Sequence, residues 1–301
     1  MEEREVLKKL GFKDEASLQE VDQLKNYELN YVDDHFDLVE KNKTAVQNSL
    51  NRLSDTQQFM PIFYYSVYGR VIISGWRALL NVNANSSNKN EPKSKSDLSH
   101  NQSWISAKSD ENNVSSIDRL MLGKKATVLI DEKEQEAGLS RLKIDRGHIL
   151  GKFSNLLSQI EQFLGDEQNV NNVDIYPQFK RANENAKNDH GQLYFEHLIG
   201  KHKDTPIYYE AEAIFANFDD KVPIGTRIKI VKIEKEDNKY IVAPDEDAIS
   251  FHVFIPNCDY AEEDSKSVLK PENTVDDYRA FFKGGDLNSL KWKKAHTPKN
   301  K

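Results

Sequence analysis

Residues 81–113 run through Asn, Ser and Lys with no sustained apolar periodicity, and this stretch limits what the rest of the chain can fold into. A segment of that composition cannot bury enough apolar surface to offset its chain entropy. The apolar residues on either side must therefore find their own packing partners. We expect a unit at 1–82, a linker at 83–113, a second unit at 114–283 and a tail at 284–301. A chain of 301 residues has room for two modest units, each with a core.

The first unit reads as helical. Ser17-Leu18-Gln19-Glu20 has the form of a capping box, which marks a helix start. From Val32 the apolar positions Val32, Phe36, Val39, Val46, Leu50 and Leu53 recur at steps of three, four or seven, the seam of a long amphipathic helix. That seam needs a partner, either a second helix over 61–80 or another copy of the chain. In such a helix Tyr64, Tyr65, Tyr68 and Trp76 read as an aromatic core in preference to a base-stacking surface.

Composition excludes several classes. The net charge of -7 argues against a protein that coats nucleic acid through bulk electrostatics, although a local positive cleft would serve an enzyme. The apolar stretch 59–82 is broken by Arg70 and Arg77, so no membrane span is expected. The acidic start Met1-Glu2-Glu3-Arg4-Glu5 has no apolar run behind it, which points to cytoplasmic synthesis and leaves signal-independent export open. Cys258 stands alone and can build neither an internal disulfide nor a thiolate zinc site.

Beyond the linker the pattern changes to strands. Residues 126–130 are short and β-branched, 139–144 reads as a second strand, 148–164 reads as helical, and a second helix-like stretch follows Gln178. Strands are expected at 207–215, 226–234, 240–243 and 249–255, and a last helix at Val275–Phe282. The tail carries Lys291, Lys293, Lys294, Lys299 and Lys301. The class is α+β, with a central antiparallel sheet.

The second strand leads directly into Asp145-Arg146-Gly147-His148. Gly147 lets the backbone turn and approach closely, Arg146 suits phosphate, and His148 stands where a base could activate water. Phosphodiester hydrolysis asks for those groups together with a hard cation. The run is similar to that of the sugar-nonspecific DNA/RNA endonucleases of the ββα-metal superfamily. Downstream, Asp174-Ile175-Tyr176-Pro177-Gln178 followed by Ala182-Asn183 resembles that family's Asn-x-x-[Thr/Pro]-Gln element and its metal-binding Asn. Gly191-Gln192-Leu193-Tyr194-Phe195-Glu196 looks like the Gly-x-x-Tyr-x-Glu element of its competence and toxin nucleases.

The resemblance implies a ββα-metal nuclease domain and a role for each residue. His148 would be the general base, Asn183 would hold one Mg2+ (with Mn2+ as a substitute), and Glu196 would order the metal-bound waters or share the metal. Arg146 would stabilise developing charge. Asp145, Gly147, Asp174 and Gln178 would support them, Asp174 standing where the family has Asn. Because 13 residues separate Asn183 from Glu196, one unbroken helix would put them on different faces, so a break is expected at 188–191.

Taken as implied, the function is non-specific cleavage of DNA, or RNA as well, in a bacterial toxin or defence nuclease that an inhibitor or immunity protein holds off. Two readings stand beside it: an RNA-only nuclease, and an inactive nuclease-fold scaffold acting through its N-terminal helices, which would also mediate any homo-oligomer.

Overall fold

The computed structural model describes residues 1–41, 44–82, 144–151, 175–184, 191–220, 222–244, 249–258 and 274–283. The expected strands at 126–130 and, but for Ile144, 139–144, the linker at 83–113, the helix beyond Gly151 and the basic tail lie outside these residues.

Two helices open the chain, α1 (Glu3–Leu10) and α2 (Glu15–Gln19). The capping box is present but shifted: Asp14 is the N-cap, accepting from Ser17 N, and Ser17 returns the bond from the third helical position. The expected long helix does not follow. Instead the chain forms β1 (Tyr27–Val32), β2 (His35–Glu40) and a short α3 (Ala45–Leu50). Asp33 and Asp34 both take positive φ, 43° and 67°, as a two-residue hairpin turn of the type that matches strand twist requires. On β2 Phe36 and Leu38 are buried while Asp37 and Val39 face out, a period of two. Val32 and Val39, part of the supposed helical seam, are 40% and 50% exposed.

The second helix is likewise a hairpin, of β3 (Phe59–Tyr65) and β4 (Val71–Leu80). Ser66 N donates to Arg70 O across a tight turn in which Gly69 takes φ 76°. Tyr65 and Tyr68 are exposed, and of the four aromatic residues expected in a helical core only Trp76 is fully buried. The continuous helical seam from Val32 to Leu53, on which the scaffold reading and oligomerisation through a long helix relied, is therefore absent, and the N-terminal helices present are the short α1, α2 and α3.

After β5 (Ile144–His148), β6 (Ile175–Phe179), α4 (Lys180–Glu184) and α5 (Gln192–Lys201) come β7 (Ile207–Ile214), β8 (Gly225–Glu236), β9 (Lys239–Val242), β10 (Phe251–Pro256) and α6 (Val275–Phe282). Among the described residues one eight-stranded sheet has the order β1-β2-β10-β8-β7-β4-β3, with β9 on β8, and every pairing in it is antiparallel. Strands from before the linker thus pair with strands from after it. Gly75 of β4 permits the β4–β7 approach, since a Cβ there would lie 2.2 Å from Ala211 O.

One face of the sheet packs Trp76, Ala78, Tyr209, Ala211, Ile228, Ile230, Val253 and Ile255 against Ile149, Leu150, Tyr176, Phe195 and Ile199. At about 1.5–3 kcal/mol for each large apolar side chain removed from water, this cluster is what holds β5, β6 and α5 on the sheet. The other face carries two apolar groups, one under α1, α2 and α6 and one under α3. On that face lies a charged cluster. Arg227 donates from Nη2 to Glu210 and to Glu212 Oε2 (2.7 Å), Arg77 Nε reaches Glu210 Oε2 at 3.2 Å, and Ser74 and Gln23 donate to Glu212 Oε1, each at 2.7 Å. Burial alone would push the Glu210 carboxyl up, but Arg227, Arg77 and the Tyr208 hydroxyl outweigh it and hold it well below the ordinary carboxylate range.

His252 on β10 accepts from Arg227 Nη1 at 3.2 Å and meets the edge of Tyr27. Burial, with Arg227 and Lys229 nearby, pushes its pKa well below the ordinary 6.5. Below about pH 6.5 the unfolded chain binds a proton there that the folded chain refuses, so stability falls as pH is lowered. Glu210, depressed in the folded state, adds a further loss below its ordinary 4.5. We expect the thermal unfolding midpoint to drop between about pH 7.5 and about pH 5.5, and to drop less in His252→Gln. Equal pH dependence in the two proteins would contradict the assignment to His252.

Candidate active site

β5 and β6 form a separate antiparallel pair, with Asp145 opposite Gln178, Arg146 opposite Pro177, Gly147 opposite Tyr176 and His148 opposite Ile175. The chain then passes from Phe179 straight into α4, which packs on both strands and on α5. This strand-strand-helix unit places His148 at the end of β5, where the chain leaves the ladder, and Asn183 near the end of α4, where it is half-buried. Glu196, also half-buried, sits one turn into α5. α5 starts afresh at Gln192 with Gly191 extended as its N-cap, so Asn183 and Glu196 belong to separate helices, as the spacing requires. Asp174 lies outside the described residues.

Gly147 is buried against Gln178: a Cβ at this position would lie 2.3 Å from Gln178 Oε1 and 2.9 Å from Gln178 Cβ. Gln178 is 0% exposed, and its Nε2 donates to Gln192 Oε1 at 3.3 Å. The expected close approach at the glycine is therefore present. What approaches is the Gln178 side chain across the strand pair.

The connecting residue is one to which the sequence reading gave no role. Gln192, 1% exposed, donates from Nε2 to the His148 carbonyl at 2.5 Å and to Glu196 Oε1 at 2.9 Å. Its Oε1 accepts from the Tyr176 hydroxyl at 2.9 Å as well as from Gln178. Tyr176 is hydrogen-bonded to Thr226 of β8, and Tyr209 of β7 donates to Ile149 O at 3.2 Å. Phe179 N donates to Asn257 Oδ1 at 2.7 Å, closing the other end of β6 onto the loop after β10. The sequence did hold one signal, since Gln192 and Glu196 stand four apart and so share a helical face.

In chemical terms one buried amide joins the backbone carbonyl of His148, at the strand end, to the Glu196 carboxylate. Asn183 and Glu196 each carry a side-chain oxygen, the donor type that a hard divalent cation prefers. Among the described residues no group of three or more His, Cys, Asp or Glu side chains is gathered to hold an ion. None of the described helices is long and apolar enough to cross a membrane.

No protein-family model matches this chain, and no curated protein does. Among solved structures it is similar to NucA from Streptococcus agalactiae with magnesium ion bound, at 15% identity over 82% of this chain and 88% of that one, with a TM-score of 0.44. The same protein with no metal bound gives 15% identity, 81% and 88% coverage and a TM-score of 0.41.

Gly147→Ala tests the packing. Gln178 is fully buried and must shift to admit the methyl group, so we expect a loss of about 1–3 kcal/mol in unfolding free energy by denaturant titration. A midpoint equal to that of the parent would contradict the packing described.

Proposed function

We propose that the chain is a metal-dependent nuclease that hydrolyses phosphodiester bonds in DNA. The observation that carries this reading is the Gln192 amide, which ties the strand end bearing His148 to Glu196 on α5. The backbone of His148 and the Glu196 carboxylate are tied in this way, and together with Asn183 on α4 these residues carry the groups the reaction asks of a protein: a base, and oxygen donors for a hard cation.

In this mechanism His148 takes the proton from the attacking water as the water oxygen bonds to phosphorus. The P–O bond to the leaving sugar oxygen breaks, and that oxygen collects a proton from solvent. Arg146 stabilises the charge that accumulates on the phosphoryl oxygens. Asn183 and Glu196 would hold Mg2+ and its waters, since the donor set is all oxygen and the ion keeps most of its hydration. When bound, that ion supplies charge neutralisation at the scissile phosphate. Gly147 and Gln178 keep the end of β5 in place. Asp145 and Asp174 are supporting residues in this reading, and the biological setting it proposes is a bacterial toxin or defence nuclease with a dedicated inhibitor.

A supercoiled plasmid incubated with Mg2+ and with EDTA, using the parent and His148→Ala, tests the proposal. We expect nicking only with Mg2+, slowed at least about 100-fold in the variant. No nicking by the parent, or equal nicking by the two, would overturn it. Parallel RNA substrates report whether ribose is also tolerated.

A further inference from the structure

We propose that Gln192 is a positioning residue that fixes the Glu196 carboxylate against the His148 end of β5; as a statement about the reaction, this rests on the nuclease reading above. A glutamine amide has two N–H donors and an oxygen with two lone pairs. All four positions are used here: Oε1 accepts from Tyr176 and Gln178, and Nε2 donates to His148 O and Glu196 Oε1. A 180° turn of this buried amide would set its oxygen against two acceptors and its N–H groups against the Gln178 amide nitrogen, so a single orientation survives.

The consequence falls on Glu196. A half-buried glutamate on a helix samples several rotamers, and ordering it carries an entropic cost. The bond from Gln192 is charge-assisted, stronger than one between neutral groups, and comes from a donor that cannot move. The donor is immobile because its own acceptor side is anchored through Tyr176 to Thr226 in the central sheet. A chain of four side chains therefore runs from β8 to the carboxylate. A glutamine that only filled a buried polar position would need no bond to a half-exposed acid, nor one to the carbonyl of the candidate base.

Two substitutions separate positioning from simple packing. Gln192→Met keeps the length and removes every amide bond; Glu196→Ala removes the group being aimed. Each single variant and the pair are compared with the parent for Mg2+ affinity by titration calorimetry and for plasmid cleavage. Thermal unfolding of all four proteins checks that they are folded. We expect Gln192→Met to weaken Mg2+ binding and to slow cleavage by about 10–100-fold each, the range typical of groups that orient metal ligands. In the Glu196→Ala background the same change should alter either by less than about threefold, because its target has gone.

Losses that multiply in the double variant, or that simply track the unfolding midpoint, would overturn the positioning role. So would a Gln192→Met protein that binds Mg2+ and cuts like the parent, which leaves the nuclease reading standing. A parent that binds Mg2+ without cutting, its binding weakened by Gln192→Met only when Glu196 is present, supports positioning and removes the nuclease reading. A parent that neither binds nor cuts overturns both.

Discussion

A two-stranded ribbon is marginal in water, so β5 and β6 cannot by themselves hold His148 in a defined place. The arrangement of the candidate site depends on docking that ribbon to the large sheet. Apolar contact supplies most of the attraction, through Tyr176, Ile149 and Leu150 on one side and Tyr209, Ala211 and Ile228 on the other. Apolar contact alone tolerates sliding. The polar links from Tyr176 to Thr226, from Tyr209 to Ile149 O and from Phe179 N to Asn257 permit one register only, since a shift would strand buried donors and acceptors. Gln192 extends that fixed register onto α5.

The opposite face of the same strands is built on a different principle. There Arg227, Glu210, Glu212 and Arg77 form a buried ionic cluster where an apolar layer would have served. Such clusters add little net stability, because desolvation offsets most of the attraction. Removing one member is costly, about 3–5 kcal/mol, because it leaves an uncompensated charge. The cluster spans β4, β7 and β8, the strands whose other face carries the site. It joins the N-terminal hairpin to the C-terminal strands directly beneath β5 and β6.

Much of the C-terminal fold was legible in the sequence. The strands over 207–256 and the helix Val275–Phe282 lie within a few residues of where the sequence pattern puts them. The N-terminal hairpins were not legible in that way. Val32, Phe36 and Val39 stand four and three apart, which coincides with a helical stripe, yet the controlling signal was local: Asp33-Asp34 and Gly69 are turn residues that take positive φ. These turn residues set two hairpins, which need no helical partner. The aromatic run from Phe59 to Trp76 misled for the same reason. Half its side chains face out from an edge hairpin, and the period of two is masked by a register shift between Ile62 and Phe63.

The candidate site was legible as residues and illegible as a connection. His148, Asn183 and Glu196 could be named because their side chains have recognisable chemistry. Gln192 has none: it neither titrates nor attacks, and on a helix surface it would be an ordinary helix former. Its significance comes from burial, which makes each of its four hydrogen bonds obligatory, and burial is a property of the assembled sheet. Spacing alone put Glu196 within reach of Gln192. Only the docking of β5 and β6 put the His148 carbonyl and the Tyr176 hydroxyl there as well. A neutral amide suits this place better than a charged residue, because it can donate to a carbonyl and to a carboxylate at once without adding charge beside an acid that is proposed to face a cation.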